Sequence, residues 1–288
     1  MTTIGVVGLG NMGLPIATGL AVAGGTVLAH DRAEQARRTA AAAGLRVRQS
    51  LAAVAAESNV VVLSLPTPDV VGNVVHALAE AGPADLVVLD TSTTDPATSR
   101  ELAGLLPGRF ADCPILGRPH AAGGWTIPVG GDEAAAAVAA TVLAPMARRI
   151  VHVGGPGAGA TLKVINNLML SMINSANAEA LALAGAAGVE LERFVEVLSD
   201  SGAASISGLF RESAPRVAAD DFDAVFAVRL MRKDAGLGLA LAADVGLELP
   251  VAAASTAALD RAIAMGLADE DASAVIKTVG TGDDGGRR

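Results

Sequence analysis

Six residues near the start, Gly8-Leu9-Gly10-Asn11-Met12-Gly13, constrain the fold more than any other stretch. They follow directly on Ile4-Gly5-Val6-Val7, a short apolar run of the kind a buried strand makes, and open a helical pattern from Leu14 to Ala23. Pro15 falls in the first turn of that pattern, where a missing N–H costs nothing. Thr26-Val27-Leu28-Ala29 reads as a second strand, which Asp31 ends. Three glycines at this spacing are weak evidence alone. Between strand and helix, in a βαβ unit of about 30 residues with an acid about 20 residues on, they mark a dinucleotide site. Gly8 permits the tight turn, Gly10 lets the backbone approach a pyrophosphate, and Gly13 lets the helix pack on the strand. The helix start adds unpaired N–H groups and roughly half a positive charge.

Asp31 bears on which nicotinamide cofactor binds. Its carboxylate suits the two ribose hydroxyls of NAD. A 2′-phosphate about 4 Å away would meet repulsion of order 4 kcal/mol per charge pair at an effective dielectric of 20. Arg32 opposes this, because it can swing onto such a phosphate. The expectation is NAD, with NADP possible.

Ala33 to Ala43 reads as a helix ended by Gly44. Val60 to Leu65 reads as a buried strand stopped by Pro66-Thr67-Pro68, and Leu86 to Asp90 as another, followed by Thr91-Ser92-Thr93-Thr94. Phe110 to Gly117 is strand-like. Trp125 to Val129 and Ile150 to Val153, with a helix from Asp132 to Met146 between them, complete the sheet. Continuous apolar runs joined by helices predict a parallel sheet covered on both faces. Ligands in such sheets bind beyond the carboxyl ends of the strands, where Leu65-Pro66 and Ser92-Thr93 lie.

Gly154-Gly155-Pro156-Gly157 breaks the pattern, and the expected domain boundary falls there, dividing 1–157 from 158–288. Nothing after Gly159 breaks a helix for about 25 residues, longer than a typical globular helix. Asn166, Asn167, Ser171, Asn174 and Asn177 form one polar stripe about Lys163 on this otherwise apolar helix. Solvent faces favour Glu, Lys, Arg and Gln, so an Asn stripe reads as the lining of a wet cleft. Only helical patterns follow: Leu191 to Leu198, Ile206 to Glu212, Val225 to Val245, Val251 to Met265 and Ala272 to Thr278. Gly188, Gly246 and Gly266 stand where C-cap glycines do.

The expected fold class is therefore α/β: a Rossmann-type parallel-sheet domain, then an all-α domain, joined by a long interdomain helix. The 288 residues are 51% hydrophobic but only 2% aromatic, so the core is aliphatic and Ala-rich. A net charge of −9 argues against nucleic acid or an anionic membrane surface as partner. One cysteine, Cys113, excludes an internal disulfide and fits a reducing compartment. The four His are scattered, so no metal is expected. The N-terminus has no basic n-region or cleavable h-region, no uncharged apolar run reaches membrane-span length, and the expected location is cytoplasmic. The tail from Gly280 to Arg288 reads as frayed.

With these pieces in place the chain resembles the β-hydroxyacid dehydrogenase family, typified by 3-hydroxyisobutyrate dehydrogenase, over nearly its whole length. Gly8 to Gly13 with Pro15 is similar to the family's cofactor motif. Leu65-Pro66 and Asp90-Thr91-Ser92-Thr93 resemble two further cofactor segments. Gly157-Ala158-Gly159 through Lys163 to Asn166-Asn167 matches the catalytic motif. Leu230-Met231-Arg232-Lys233-Asp234 resembles a late Lys-Asp motif whose lysine faces the cleft. The resemblance implies hydride transfer between a nicotinamide cofactor and a small β-hydroxyacid or its semialdehyde. It makes Lys163 the general acid/base, with Asn167 holding it or the substrate oxygen, Asn166 beside the substrate, and Lys233 among the cofactor contacts. It also implies a homodimer or homotetramer. The chemistry agrees: desolvation lowers a lysine pKa from near 10.4 toward neutrality, where the group works in both directions.

One segment departs from the family pattern. The substrate loop usually reads Asp-x-Pro-Val-Ser-Gly-Gly. Here Asp112-Cys113-Pro114-Ile115-Leu116-Gly117-Arg118 puts Leu116 for the serine and Arg118 for the second glycine. Either Arg118 clamps a carboxylate bidentately, or Leu116 marks a larger or less polar substrate. The alternative functions are an imine reductase on the same fold, which usually lacks the lysine, and a non-catalytic dinucleotide-binding sensor.

Overall fold

The structure, a computed structural model, describes residues 2–202 and 206–279. The tail expected to fray, 280–288, lies outside the described residues. The chain divides into two compact units, Met1–Lys163 and Val164–Arg288. The boundary placed after residue 157 precedes this division by less than two helical turns.

The first unit alternates strands and helices: β1 Thr3–Val7, α1 Gly13–Val22, β2 Thr26–His30, α2 Glu34–Ala42, β3 Arg46–Val47, α3 Leu51–Glu57, β4 Val60–Leu63, α4 Pro68–Ala81, β5 Val87–Asp90, α5 Pro96–Leu105, β6 Phe110–Asp112, β7 Trp125–Gly131, α6 Glu133–Val142 and β8 Ala147–Gly154. They form one sheet in the order β3-β2-β1-β4-β5-β6-β7-β8. The apolar runs divide between its faces with the period of two that a pleat imposes. Val6, Val60 and Val62 join one core with Ile16, Leu20 and Met146. Val7, Val61 and Leu63 join another with Val71, Leu78 and Leu102. Side-chain caps start several helices: Thr67 accepts from Val70 N before Pro68, and Asp95 from Thr98 N before Pro96.

The sheet is not wholly parallel, as the apolar runs had suggested. β7 runs antiparallel to β6. Between Cys113 and Gly124 there is only a 3₁₀ turn, Pro119–Ala121, and without a crossover the chain returns beside β6 in the opposite sense. α6 then supplies a crossover, and β8 pairs parallel with β7. The strand-like run from Phe110 to Gly117 stops at Asp112; beyond it Leu116 keeps one isolated bridge to Thr126. β3 is too short for periodicity to reveal.

α7 spans Ala158–Ala186 and carries the chain from one unit to the other. Its C-terminus closes on Gly188, at φ 83°, with Val189 N donating to Ala184 O. The second unit adds α8 Leu191–Asp200, α9 Gly208–Ala218, α10 Val228–Asp244 and α11 Pro250–Ala264. Its core holds Leu168, Val228, Met231, Ala235, Leu259 and Ala262. A Cβ on Gly238 would stand 3.0 Å from Leu168 Cβ, so the close approach of α10 to α7 uses the missing side chain. Ala272–Thr278, expected as an α-helix, is 3₁₀; Asp271 ties its first turn by accepting from Ser273 N and Oγ.

Candidate active site

In the first unit the glycine loop follows β1. Gly8 has φ 90°, and a Cβ there would stand 2.1 Å from the Ser64 carbonyl oxygen; one on Gly13 would stand 1.8 Å from Gly8 O. One on Gly10 would meet nothing within 4 Å. The first and third glycines thus close the turn against β4 and the helix. The middle one leaves the backbone open at Gly10, as close approach of a pyrophosphate requires. Met12, the N-cap of α1, makes no side-chain cap; Leu14 N donates to Gly10 O and Pro15 has no N–H, so an anion at this helix start is left the amides ahead of Leu14. The residues present fit a dinucleotide.

Asp31 locks this loop in place. Its Oδ2 accepts from Leu9 N at 2.8 Å and its Oδ1 from Ala33 N at 2.7 Å. Each oxygen keeps a further lone pair at the end of β2. Arg32 is exposed, and Arg37 holds its carbonyl.

The neighbouring strand ends are wired together. Leu65 N donates to Ser92 Oγ at 2.9 Å, and Ser92 N to Asp90 Oδ1 at 3.0 Å. This links the Leu65-Pro66 turn to the Ser92-Thr93 turn, the two expected cofactor segments. Burial pushes the Asp90 carboxyl up to about 6, against its bonds to Ser92 and Thr94.

At the end of β6, Lys163 Nζ donates to Ile115 O at 2.8 Å. The expected acid/base lysine and the substrate loop therefore meet directly. The loop is pinned to β7. Leu116 exchanges backbone bonds with Thr126. Gly117 lies flat on Trp125, where a Cβ would stand 2.3 Å from Cδ1, and Trp125 Nε1 donates to Arg118 O at 2.8 Å. From the sequence Trp125 reads as the start of a strand and as a lone aromatic that makes no stacking platform for bases. The signal available was its isolation, the one tryptophan in a chain nearly free of aromatics.

In the second unit Asn166 Nδ2 donates to Asn167 Oδ1 at 3.0 Å, and Asn167 Nδ2 to Asp234 Oδ2 at 2.5 Å. Lys233 Nζ stands 2.9 Å from Asp234 Oδ1. Asn166, Asn167 and the late Lys-Asp motif thus form one network. The rest of the polar stripe behaves otherwise than expected. Ser171 and Asn174 are buried; Ser171 donates to Leu168 O within the helix, and Asn174 donates to Ala272 O. Asn174 thus ties α7 to the segment at Ala272 inside the second unit, where the stripe predicts a wet cleft. Leu162, Ile165 and Met169 are instead 44–53% exposed. Among the described residues no group of three or more His, Cys, Asp or Glu is placed to hold a metal ion.

Residues 3–154 match the model for the NAD-binding domain of 6-phosphogluconate dehydrogenase, and residues 157–279 the model described as NAD-binding of NADP-dependent 3-hydroxyisobutyrate dehydrogenase. The chain belongs to the β-hydroxyacid dehydrogenase family. It is 36% identical to a probable 3-hydroxyisobutyrate dehydrogenase of Mycobacterium tuberculosis, covering 97% of this chain and 98% of that one. It is 33% identical to the 2-(hydroxymethyl)glutarate dehydrogenase of Eubacterium barkeri, over 95% and 93% of the two chains. The solved structure of the M. tuberculosis 3-hydroxyisobutyrate dehydrogenase with L-serine superposes with TM-score 0.86 at 34% identity, covering 98% of this chain and all of that one. As a family member the chain is an NAD(P)-dependent dehydrogenase acting on CH–OH groups.

Proposed function

We propose that this enzyme moves a hydride between NAD and a β-hydroxyacid or its semialdehyde, with Lys163 as general acid/base. The observation that carries this reading is the bond from Lys163 Nζ to Ile115 O, which holds the amine at the substrate loop. The bound nicotinamide supplies the hydride acceptor or donor. In oxidation, neutral Lys163 takes the hydroxyl proton as the C–H hydride leaves; in reduction, its ammonium returns that proton to the forming alkoxide. An amine keeps two N–H donors when neutral, so the bond to Ile115 survives both states and holds Nζ in place through the cycle.

Asn167, one turn further along α7, orients the reacting oxygen without adding charge. Leu116, Gly117, Arg118 and Asn166 receive the acid, and Arg118 clamps its carboxylate. Gly8 to Gly13, Asp31, Leu65, Pro66, Thr93 and Lys233 hold the cofactor. The exposed apolar residues of α7 support a homodimer or homotetramer, which light scattering on the eluting protein measures. The single buried thiol, Cys113, supports a cytoplasmic location.

The test is turnover of purified protein with NAD and NADP against β-hydroxyacids of increasing size and, in reverse, semialdehydes and cyclic imines, with K163A alongside. Activity on a hydroxyacid that K163A loses supports the reading. Silence on every acid, with imine reduction surviving in K163A, would replace it with imine reductase. Cofactor binding without turnover would mean a sensor.

A further inference from the structure

We infer that Asp112 is the positioning residue for Lys163, acting from the first turn of α7. The inference rests on the proposed acid/base role of Lys163. Asp112 ends β6 with its side chain buried. Its Oδ1 accepts from Gly157 N at 2.8 Å, and its Oδ2 from Ala160 N at 2.7 Å. One carboxylate therefore takes up N–H groups on both sides of the helix start and answers the positive end of the dipole. Three residues along the chain from Asp112, Ile115 O takes the bond from Lys163 Nζ. Asp112 thus fixes both attachments of Lys163: the helix that carries its Cα, and the loop that holds its amine.

The surroundings are built for that carboxylate. A Cβ on Gly130 would stand 2.6 Å from both of its oxygens. One on Gly159 would stand 2.6 Å from Asp112 O and 3.0 Å from Oδ2. Both β7 and α7 therefore set a glycine against Asp112 where a side chain would collide with it. Two charge-assisted bonds to one rigid turn also leave the carboxylate no alternative rotamer of equal energy. An asparagine at this position offers one acceptor to two amides. It must release one of them, and the first turn of α7 shifts with the lysine it carries. Misplacing a catalytic group by about 1 Å costs about 100-fold.

The experiment compares D112N, G130A and K163A with the parent enzyme, measuring kcat, KM, cofactor affinity by fluorescence titration, and the pH profile of kcat/KM. The expected result for D112N is kcat down about 10- to 100-fold, cofactor affinity within about twofold, and a displaced basic or acidic limb, because the amine has moved against Ile115. A merely structural role lowers the active fraction and leaves the profile where it was; that result, or unchanged kcat, overturns the inference. If D112N fails to fold, G130A decides in its place, since it intrudes on the same carboxylate from β7: a displaced profile supports the inference and an undisplaced one overturns it. Full turnover in K163A would sink the lysine assignment itself. Loss of turnover in K163A, with a parental profile in D112N and G130A, would sink only the role of Asp112.

Discussion

The side-chain amide of Asn167 donates to Asp234 Oδ2 across 67 residues of sequence. Because a carboxylate only accepts, this bond fixes which end of the Asn167 amide faces Asp234 and leaves Oδ1 for Asn166. Both residues are buried, and Lys233 supplies the countercharge. Two motifs far apart in the chain are therefore one polar unit in the fold. A buried network of this kind is rigid while complete and costly when broken.

Asp234→Asn breaks it without changing its shape. One Asn–Asn contact then opposes two N–H donors or forces a flip, and Lys233 loses its partner. Removing a partner from a buried polar group costs about 1–3 kcal/mol. The expected outcome is faster hydrogen exchange of the α7 and α10 amides with the first unit unaffected, and a fall in kcat. Unchanged exchange protection would show that the network contributes no stability.

The three loop glycines respond differently to alanine. Gly10→Ala folds as the parent does, because the new Cβ meets nothing within 4 Å, yet it covers the open backbone and weakens cofactor binding. Gly13→Ala puts a Cβ 1.8 Å from Gly8 O, so it destabilises the first unit. Cofactor titration and thermal unfolding separate the two effects. A Gly10→Ala enzyme with parental affinity would remove the pyrophosphate from this loop.

Glycine spacing was legible because its cause is local: each residue answers to atoms a few positions away or to the next strand. The same holds for Pro68 and Pro96 at helix starts and for Gly188 at a helix end. The polar stripe of α7 was misread because its partners are remote. Ala272 stands 98 residues beyond Asn174, and no period in the sequence says that Asn174 will meet a carbonyl there. The reversal of β7 was hidden because strand direction depends on what the connection from Cys113 to Gly124 lacks, while the apolar run itself reads the same in either direction. Of the site, the motif residues are visible, Asp112 among them as the start of the substrate loop; what the sequence hides is that its carboxylate binds the start of α7 and that Trp125 backs the loop.

Trp125→Phe tests that hold. It keeps the ring against Gly117 and deletes the bond to Arg118 O. A lost neutral hydrogen bond is worth about 1 kcal/mol, so KM for the acid rises about fivefold while cofactor affinity stays. A parental KM would free the loop from Trp125.

On the proposed reading Asp31 favours NAD over NADP. Charge repulsion of order 4 kcal/mol at an effective dielectric of 20 corresponds to roughly three decades of NAD over NADP. Asp31→Asn keeps an acceptor for one backbone amide and removes the charge, so the ratio narrows by about 10-fold or more. Equal Michaelis constants for NAD and NADP in the parent would refute the preference outright.

Stability of the first unit falls as pH rises. The Asp90 carboxyl, pushed up to about 6 by burial, has an ordinary value of 3.8 when exposed. Between about pH 4 and pH 6 the folded unit therefore binds more protons than the unfolded chain, and stability is lost as those protons leave. Well above pH 6 the loss is complete and of order 3 kcal/mol. Asp112, also raised by burial, adds the same sign. The second unit carries the opposite slope: Arg216 holds Asp221 down to about 2, so its contribution is present above about pH 4 and disappears toward pH 2. Trp125, fully buried in the first unit, reports on that unit alone. Urea midpoints followed by its fluorescence should be higher at pH 5 than at pH 7.5. Asp90→Asn should flatten the difference without abolishing it, since Asp112 remains. A parent midpoint that is flat or rises from pH 5 to 7.5 would show that the protein stabilises the ionised form of Asp90 by more than its bonds to Ser92 and Thr94 supply.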